Sequence, residues 1–178
     1  VPQPFMVIAT ENPTGSSGTQ LLPESQMDRF MIRMSIGYPK PEDEISMLKS
    51  KRTLSVDDIK PCLDIDEILE MKKEVEQIYM HDLVYQYAVD LVNATRHHQL
   101  LTLGVSPRGT IALIRMASAY AYMQYRDYVV PDDIAAVFVD VCAHRVILNT
   151  KAKVGNVTAE SILTQIMDVI QKPKAKKG

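Results

Sequence analysis

The 178-residue chain is 46% hydrophobic and 24% charged, enough for one sizeable buried core or two small ones in an ordinary soluble globular protein. Its net charge of −2 hides an asymmetry: without Lys172, Lys174, Lys176 and Lys177 at the C-terminal end, 16 basic residues stand against 22 acidic ones, and such a body does not favour a nucleic-acid-binding face. No apolar run approaches the ~20 residues that cross a bilayer, and the Val1-Pro2-Gln3-Pro4 start has neither the basic nor the apolar region of a signal peptide, so a cytoplasmic protein without stable membrane insertion is expected.

Residues 5–9 form a continuous apolar run, the pattern of a strand covered on both faces. Asn12-Pro13 and a loop with Gly15, Ser16, Ser17 and Gly18 follow, and Asp28-Arg29 then leads into a second expected strand over residues 30–36, where Phe30, Ile32, Met34 and Ile36 share one face. Two strands do not make a stable parallel sheet alone, so the segment reads as part of a larger α/β domain. After Gly37-Tyr38-Pro39 the pattern turns helical. Pro41 with Glu42, Asp43 and Glu44 opens a helix to about residue 52. Asp64 or Asp66 caps another to about residue 79, with a continuation or a break near His81-Asp82. The stripe Leu83, Val84, Tyr87, Leu91 and Val92 marks a third, ending near Arg96. Ser106-Pro107-Arg108 reads as N-cap, N1 and N2 of a central helix to about residue 125, apolar around most of its circumference. Pro131-Asp132-Asp133 opens another, with Ile134, Val137, Phe138, Val141 and Leu148 on one face, and Ile162, Leu163, Ile166 and Ile170 mark the last. The expected fold class is mainly α: a bundle of four or five helices after a two-strand remnant of an α/β core. The divisions fall at residues 1–38, 39–60 and 61–178 for core end, linker with first helix, and helical domain.

Few residues suggest chemistry. Asn12 follows a buried strand, where α/β folds hold ligands, and its amide suits a water or a phosphate oxygen; Asn-Pro is equally a turn opener. The Gly/Ser loop lacks the Gly-Lys-Ser/Thr ending of a P-loop and reads as a flexible loop. Arg29 at an element boundary offers a planar fork of donors to a phosphate on a neighbouring subunit, or a local ion pair to Asp28 or Glu24. Arg108 stands in the first turn of a helix, where free amides already favour an anion. His97-His98 read as solvated helix-end residues, and Tyr120, Tyr122, Tyr125 and Tyr128 as packing or interface rings. Cys62 and Cys142 read as buried free thiols, with no metal site. The KPKAKKG tail reads as a solvated, frayed end.

Taken together, "FMVIATENP", "GTQLLPESQMDRFMIRMSIGYP" and "GVSPRG" resemble the MoxR family of AAA+ ATPases over nearly the whole chain. The resemblance implies that Asn12 corresponds to the sensor 1 asparagine, Arg29 to the arginine finger acting in trans, and Arg108 to the sensor 2 arginine of a helical lid, in cis or in trans. It further implies ATP and Mg2+ as cofactors of the full-length parent, a homo-oligomer, commonly a hexameric ring, and remodelling of client proteins or metal-cofactor insertion beside a partner with a von Willebrand A domain. The chain departs from that pattern in three ways. It has no GxxxxGK followed by Ser or Thr and no acidic magnesium-binding strand, so Walker A and B are missing and the chain alone is expected to be inactive. The loop after Asn12-Pro13 lacks the family's usual acidic residues. Gly109 stands where a helix former is common, which is expected to loosen the helix start by about 1 kcal/mol. The alternative from a different class is a non-enzymatic helical protein-interaction module.

Overall fold

A computed structural model describes residues 2–11, 22–50 and 59–173 of the chain. Its described residues carry eight helices: α1 (Glu24–Met27), α2 (Pro41–Lys49), α3 (Ile65–Glu76), α4 (Asp82–Arg96), α5 (Pro107–Met123), α6 (Pro131–Cys142), α7 (Thr150–Val154) and α8 (Ala159–Val169). Four short strands pair in twos: β1 (Tyr79–Met80) lies parallel to β3 (Tyr128–Val129), and β2 (Leu101–Leu103) antiparallel to β4 (Ile147–Leu148).

The core is that of a helical bundle. The stripe expected on α4 is buried through Val84, Tyr87, Leu91 and Val92, and it meets Leu113, Ala117 and Ala121 of α5 and Ile134, Val137, Phe138 and Val141 of α6. Ile162, Leu163 and Ile166 of α8 close the far side. The small residues of α5 let α6 approach closely, and α5 is the central helix, as its apolar circumference requires. Helix starts follow the capping residues. Asp64 accepts from the Glu67 amide at 2.8 Å while Glu67 reaches back to the Asp64 amide, a complete capping box. Ser106 accepts from the Gly109 amide at 3.2 Å, with Pro107 in the first turn.

Several boundaries differ from the sequence pattern. Residues 5–9 and 30–36 carry no strand ladder, because a strand exists only by hydrogen bonding to a neighbour and neither segment has one among the described residues. Ile32 packs against the helical core instead, while Met34 and Ile36 are exposed. The helix after Pro131 stops at Cys142 rather than continuing to Leu148. A 3-10 turn over Ala143–Arg145 brings Arg145 back to the Val141 carbonyl, and Leu148 joins β4. The break near His81-Asp82 is real: β1 intervenes, and His81 caps α4 by accepting from the Leu83 amide at 3.1 Å. α1 and α7 had no signal strong enough to anticipate. Cys142 is buried, its thiol pushed up to about 12 by desolvation, whereas Cys62 is exposed in the bend before α3, so only one of the two thiols is buried. Lys172 is held by Asp132 at 2.5 Å, so this first lysine of the basic end does not fray; the exposed pair adds little stability.

Asp133 is the polar anchor of the bundle. Only 2% of its side chain is exposed, it pairs with Arg126 through both carboxylate oxygens, and it accepts from the Val130 amide at 2.8 Å, joining β3 to the start of α6. Replacing it leaves a partly buried guanidinium and an amide unpaired. Asp133→Ala is expected to cost about 3–5 kcal/mol of unfolding free energy, measurable as a shift of the denaturant midpoint at unchanged slope.

Candidate functional site

The three sequence candidates fare differently. Asn12 and the loop with Gly15, Ser16, Ser17 and Gly18 lie outside the described residues. Arg108 meets the carboxylate of Asp28, the residue next to Arg29 in sequence, which the sequence suggested only as a local partner for Arg29.

The start of α5 is fixed from below. Thr95 donates to the Val92 carbonyl and accepts from the Val105 amide at 2.9 Å, and Arg96 Nε donates to the Val105 carbonyl at 2.9 Å. The intervening Gly104 sits so close to the end of α4 that a Cβ there would lie 2.6 Å from Arg96 Cα. This leaves Ser106 and Arg108 projecting toward residues 28–33. Ser106 Oγ donates to Asp28 at 3.0 Å, and Arg108 Nη1 reaches Asp28 Oδ2 at 3.3 Å. Ser106 thus bridges its own helix amide and the Asp28 carboxylate with one hydroxyl.

The deeper partner of Asp28 is Arg145, whose side chain is 1% exposed. Its Nε stands 3.2 Å from Asp28 Oδ1, a charge contact without hydrogen-bond alignment. Its Nη2 donates to the carbonyls of Asp28, at 3.3 Å, and Phe30. Its Nη1 donates to Met31 O at 3.1 Å and to Val141 O at the end of α6. His144 adds a contact from Nε2 to Phe30 O at 3.1 Å, Arg33 N–H donates to Asp140 O at 3.1 Å, and Arg33 Nη2 meets Glu160 at 3.2 Å. Residues 28–33 are therefore strapped across the ends of α5, α6 and α8 by polar contacts.

Arg29 is exposed, and its guanidinium has no hydrogen bond or ion pair among the described residues; its backbone N–H bonds to Gln26 O at 3.1 Å. The ion pair to Asp28 or Glu24 expected from proximity does not form, because Asp28 faces Arg145 and Arg108. Arg108 is in turn half engaged: its side chain remains 56% exposed while it touches Asp28. Arg108 thus presents a half-exposed guanidinium beside the Asp28 carboxylate at the start of α5. Among the described residues no group of three His, Cys, Asp or Glu side chains converges for a metal ion.

The other candidates take structural places. His97 ends α4 with Nδ1 2.9 Å from Asn93 O, and His98 Nδ1 accepts from Leu100 N–H. Tyr120 packs on the core, Tyr122 bonds Glu74, Arg126 lies over the Tyr128 ring at 5.8 Å, and Tyr125 is fully exposed at a positive φ of 57°. Asp28, His144 and Arg145 were missed. The sequence signal for the last two was a basic pair directly after the apolar face of α6.

Comparison with known proteins follows this geometry. Residues 93–166 match the AAA lid domain, and residues 1–32 match the ATPase family associated with various cellular activities. The class is therefore that of the AAA ATPases, represented here by the end of the core and the lid. The chain is 37% identical to the uncharacterized protein YeaC of Bacillus subtilis over 96% of its length, and 30% identical to the chaperone MoxR1 of Mycobacterium tuberculosis over 98%. A crystal structure of a protein from Cytophaga hutchinsonii, proposed to be an ATPase, superposes with a TM-score of 0.87 at 31% identity over 97% of this chain and 55% of that one. The chain belongs to the MoxR family of AAA+ ATPases. It spans about half the length of the curated relatives, 53% of YeaC and 48% of MoxR1.

Gly109 is explained by the strap and not by helix propensity. A Cβ there would stand 2.5 Å from Val105 Cγ1 and 2.8 Å from Arg145 Cδ, so the glycine makes room for the buried guanidinium. The expected loosening of the helix start is the lesser effect. Gly109→Ala should destabilise the protein although alanine favours a helix by about 1 kcal/mol, seen as a lower thermal midpoint and faster amide exchange in residues 28–33. Relief of the overlap by a small shift would instead raise the midpoint.

Burial and then the neighbouring Arg145 hold the His144 imidazole below its ordinary 6.5; Arg33 adds to the lowering, while the Phe30 carbonyl and Asp28 oppose it. As pH falls, the unfolded chain takes up this proton before the folded one does, so the His144 contribution is intact above about pH 6.5 and lost below it. Melting measured from pH 7.5 to 5.5 should show falling stability, with the His144-dependent part of the slope absent in His144→Gln.

Proposed function

We propose that the full-length protein is an ATPase of the MoxR type, in which residues 1–38 end the nucleotide-binding core, residues 39–60 link it to the lid, and residues 61–178 form the lid. The observation that supports the reading is the Asp28 cluster, in which half-engaged Arg108 meets the segment that carries exposed Arg29. The exposed run Phe5, Met6, Val7 and Ile8 is consistent with a strand that a larger sheet would cover.

When bound, ATP with Mg2+ supplies the phosphoanhydride bond whose hydrolysis drives remodelling. The residues of this chain would position and neutralise. Asn12 would orient the attacking water or the γ-phosphate, in keeping with its uncharged donor and acceptor. Arg29, exposed and without a side-chain partner among the described residues, would meet charge developing on the phosphates of a neighbouring subunit. Arg108 would contact phosphate from the lid, leaving Asp28 to do so. Because Arg29 would act across a subunit boundary, turnover would depend on assembly into a homo-oligomer, in our reading a hexameric ring in the cytoplasm. The work done would be chaperone-like remodelling or metal-cofactor insertion, with a von Willebrand A domain protein as partner. Among the described residues no helix is long and apolar enough to cross a membrane.

A helical protein-interaction module would leave its arginines paired internally. Arg108 meets that description through Asp28, and among the described residues Arg29 does not. Arg29→Ala in the full-length protein should lower kcat by a factor on the order of 10² to 10³ while leaving oligomer size unchanged. Steady-state turnover with light scattering checks this, and full turnover in the variant would remove Arg29 from the chemistry.

A further inference from the structure

Among the described residues Arg29 has no side-chain partner, and the contacts that hold it there are to the backbone around it. The peptide carbonyls on both sides of it are held by a single group. Arg145 Nη2 donates to the carbonyls of Asp28 and Phe30, and Nη1 donates to that of Met31. The same guanidinium faces Asp28 Oδ1 at 3.2 Å, and Asp28 Oδ2 receives Arg108 at 3.3 Å. Arg145 is itself anchored on the Val141 carbonyl at the end of α6, and only the absence of a side chain at Gly109 gives its stem room. With 1% of its side chain exposed it has no path to a ligand, so it can act only through the residues it holds. Three carbonyls of one short segment met by one planar fork is a task that a lysine, a point charge with no fixed fork, does not perform.

We propose that Arg145 is the positioning residue for Arg29: by gripping the backbone on both sides of it, Arg145 fixes the arginine finger to the lid and, through Asp28, to Arg108. Lid movement is then delivered to the neighbouring subunit's phosphates by a rigid connection from the end of α6, not by a flexible loop. The inference rests on the role given to Arg29 above.

The test uses the full-length protein with Arg145→Lys, Arg29→Ala and the two combined. Arg145→Lys is expected to abolish exchange protection of the Arg33 amide, which bonds Asp140 O. Misplacing a catalytic group by about 1 Å costs up to about a hundredfold, so kcat should fall about tenfold to a hundredfold with KM for ATP changed less than about twofold. In the Arg29→Ala background the same substitution should change kcat by less than about twofold, because a residue acting through Arg29 has nothing left to position. Equal losses in both backgrounds would overturn the inference while leaving Arg29 catalytic, and so would unchanged kcat once the Arg33 amide exchanges freely. Full turnover in Arg29→Ala would overturn both readings. Should Arg145→Lys not fold, Gly109→Ala displaces the guanidinium without removing a donor and is read by the same comparison of backgrounds.

Discussion

The buried contact between Arg145 and Asp28 is the interaction on which the rest of the site depends. A guanidinium with 1% exposure needs a counter-ion and acceptors for its donors, and residues 28–31 supply a carboxylate and three carbonyls. The segment is therefore held because the lid needs it electrostatically, not because it buries much apolar surface. Ile32 is its one side chain packed against the hydrophobic core past Arg29. An uncompensated arginine at that depth is far more costly than the pair, which makes the attachment close to all-or-none.

That constraint orders the neighbouring choices. Gly109 lacks a side chain because the Arg145 stem passes there. Ser106 caps α5 with the same hydroxyl that donates to Asp28, so the start of the helix and the position of the strap are one structural decision. His144 is harder to protonate than a free imidazole because burial and the adjacent guanidinium both oppose its positive charge. Arg108 shares Asp28 with Arg145 but sits at the surface, where screening makes its half of the interaction weak and exchangeable. A tight inner pair and a loose outer pair on one carboxylate suit an arrangement in which the outer arginine changes partner while the frame remains.

The hydrophobic bundle supplies the rigid base for this frame. The side chains of Thr95 and Arg96 bond the Val105 backbone and Gly104 lets the chain lie close, so the loop before α5 docks onto the end of α4, and Asp133 with Arg126 locks the start of α6. The lid thus presents the ends of three helices as fixed points, and the polar strap runs across them.

Much of the helical domain was legible in the sequence, because a 3.6-residue apolar period and capping residues such as Asp64 and Ser106 act locally. The order of Asn12, Arg29 and Arg108 and the family resemblance were legible for the same reason: short motifs are contiguous. The expected strands at residues 5–9 and 30–36 were not realised, since apolar patterning makes a strand possible and only a hydrogen-bonding neighbour makes one. The helix from Pro131 ended early for a reason no periodicity contains, the turn of Arg145 back onto Val141. Nor could the sequence show that Asp28 would bypass adjacent Arg29 for arginines about eighty and well over a hundred residues away. By itself the sequence determined the longer helices of the bundle, several of their caps and the order of the candidate polar residues. The tertiary structure alone decided which arginine is buried, which is left exposed and which shares a carboxylate, because burial and charge pairing depend on distances that only the folded chain creates.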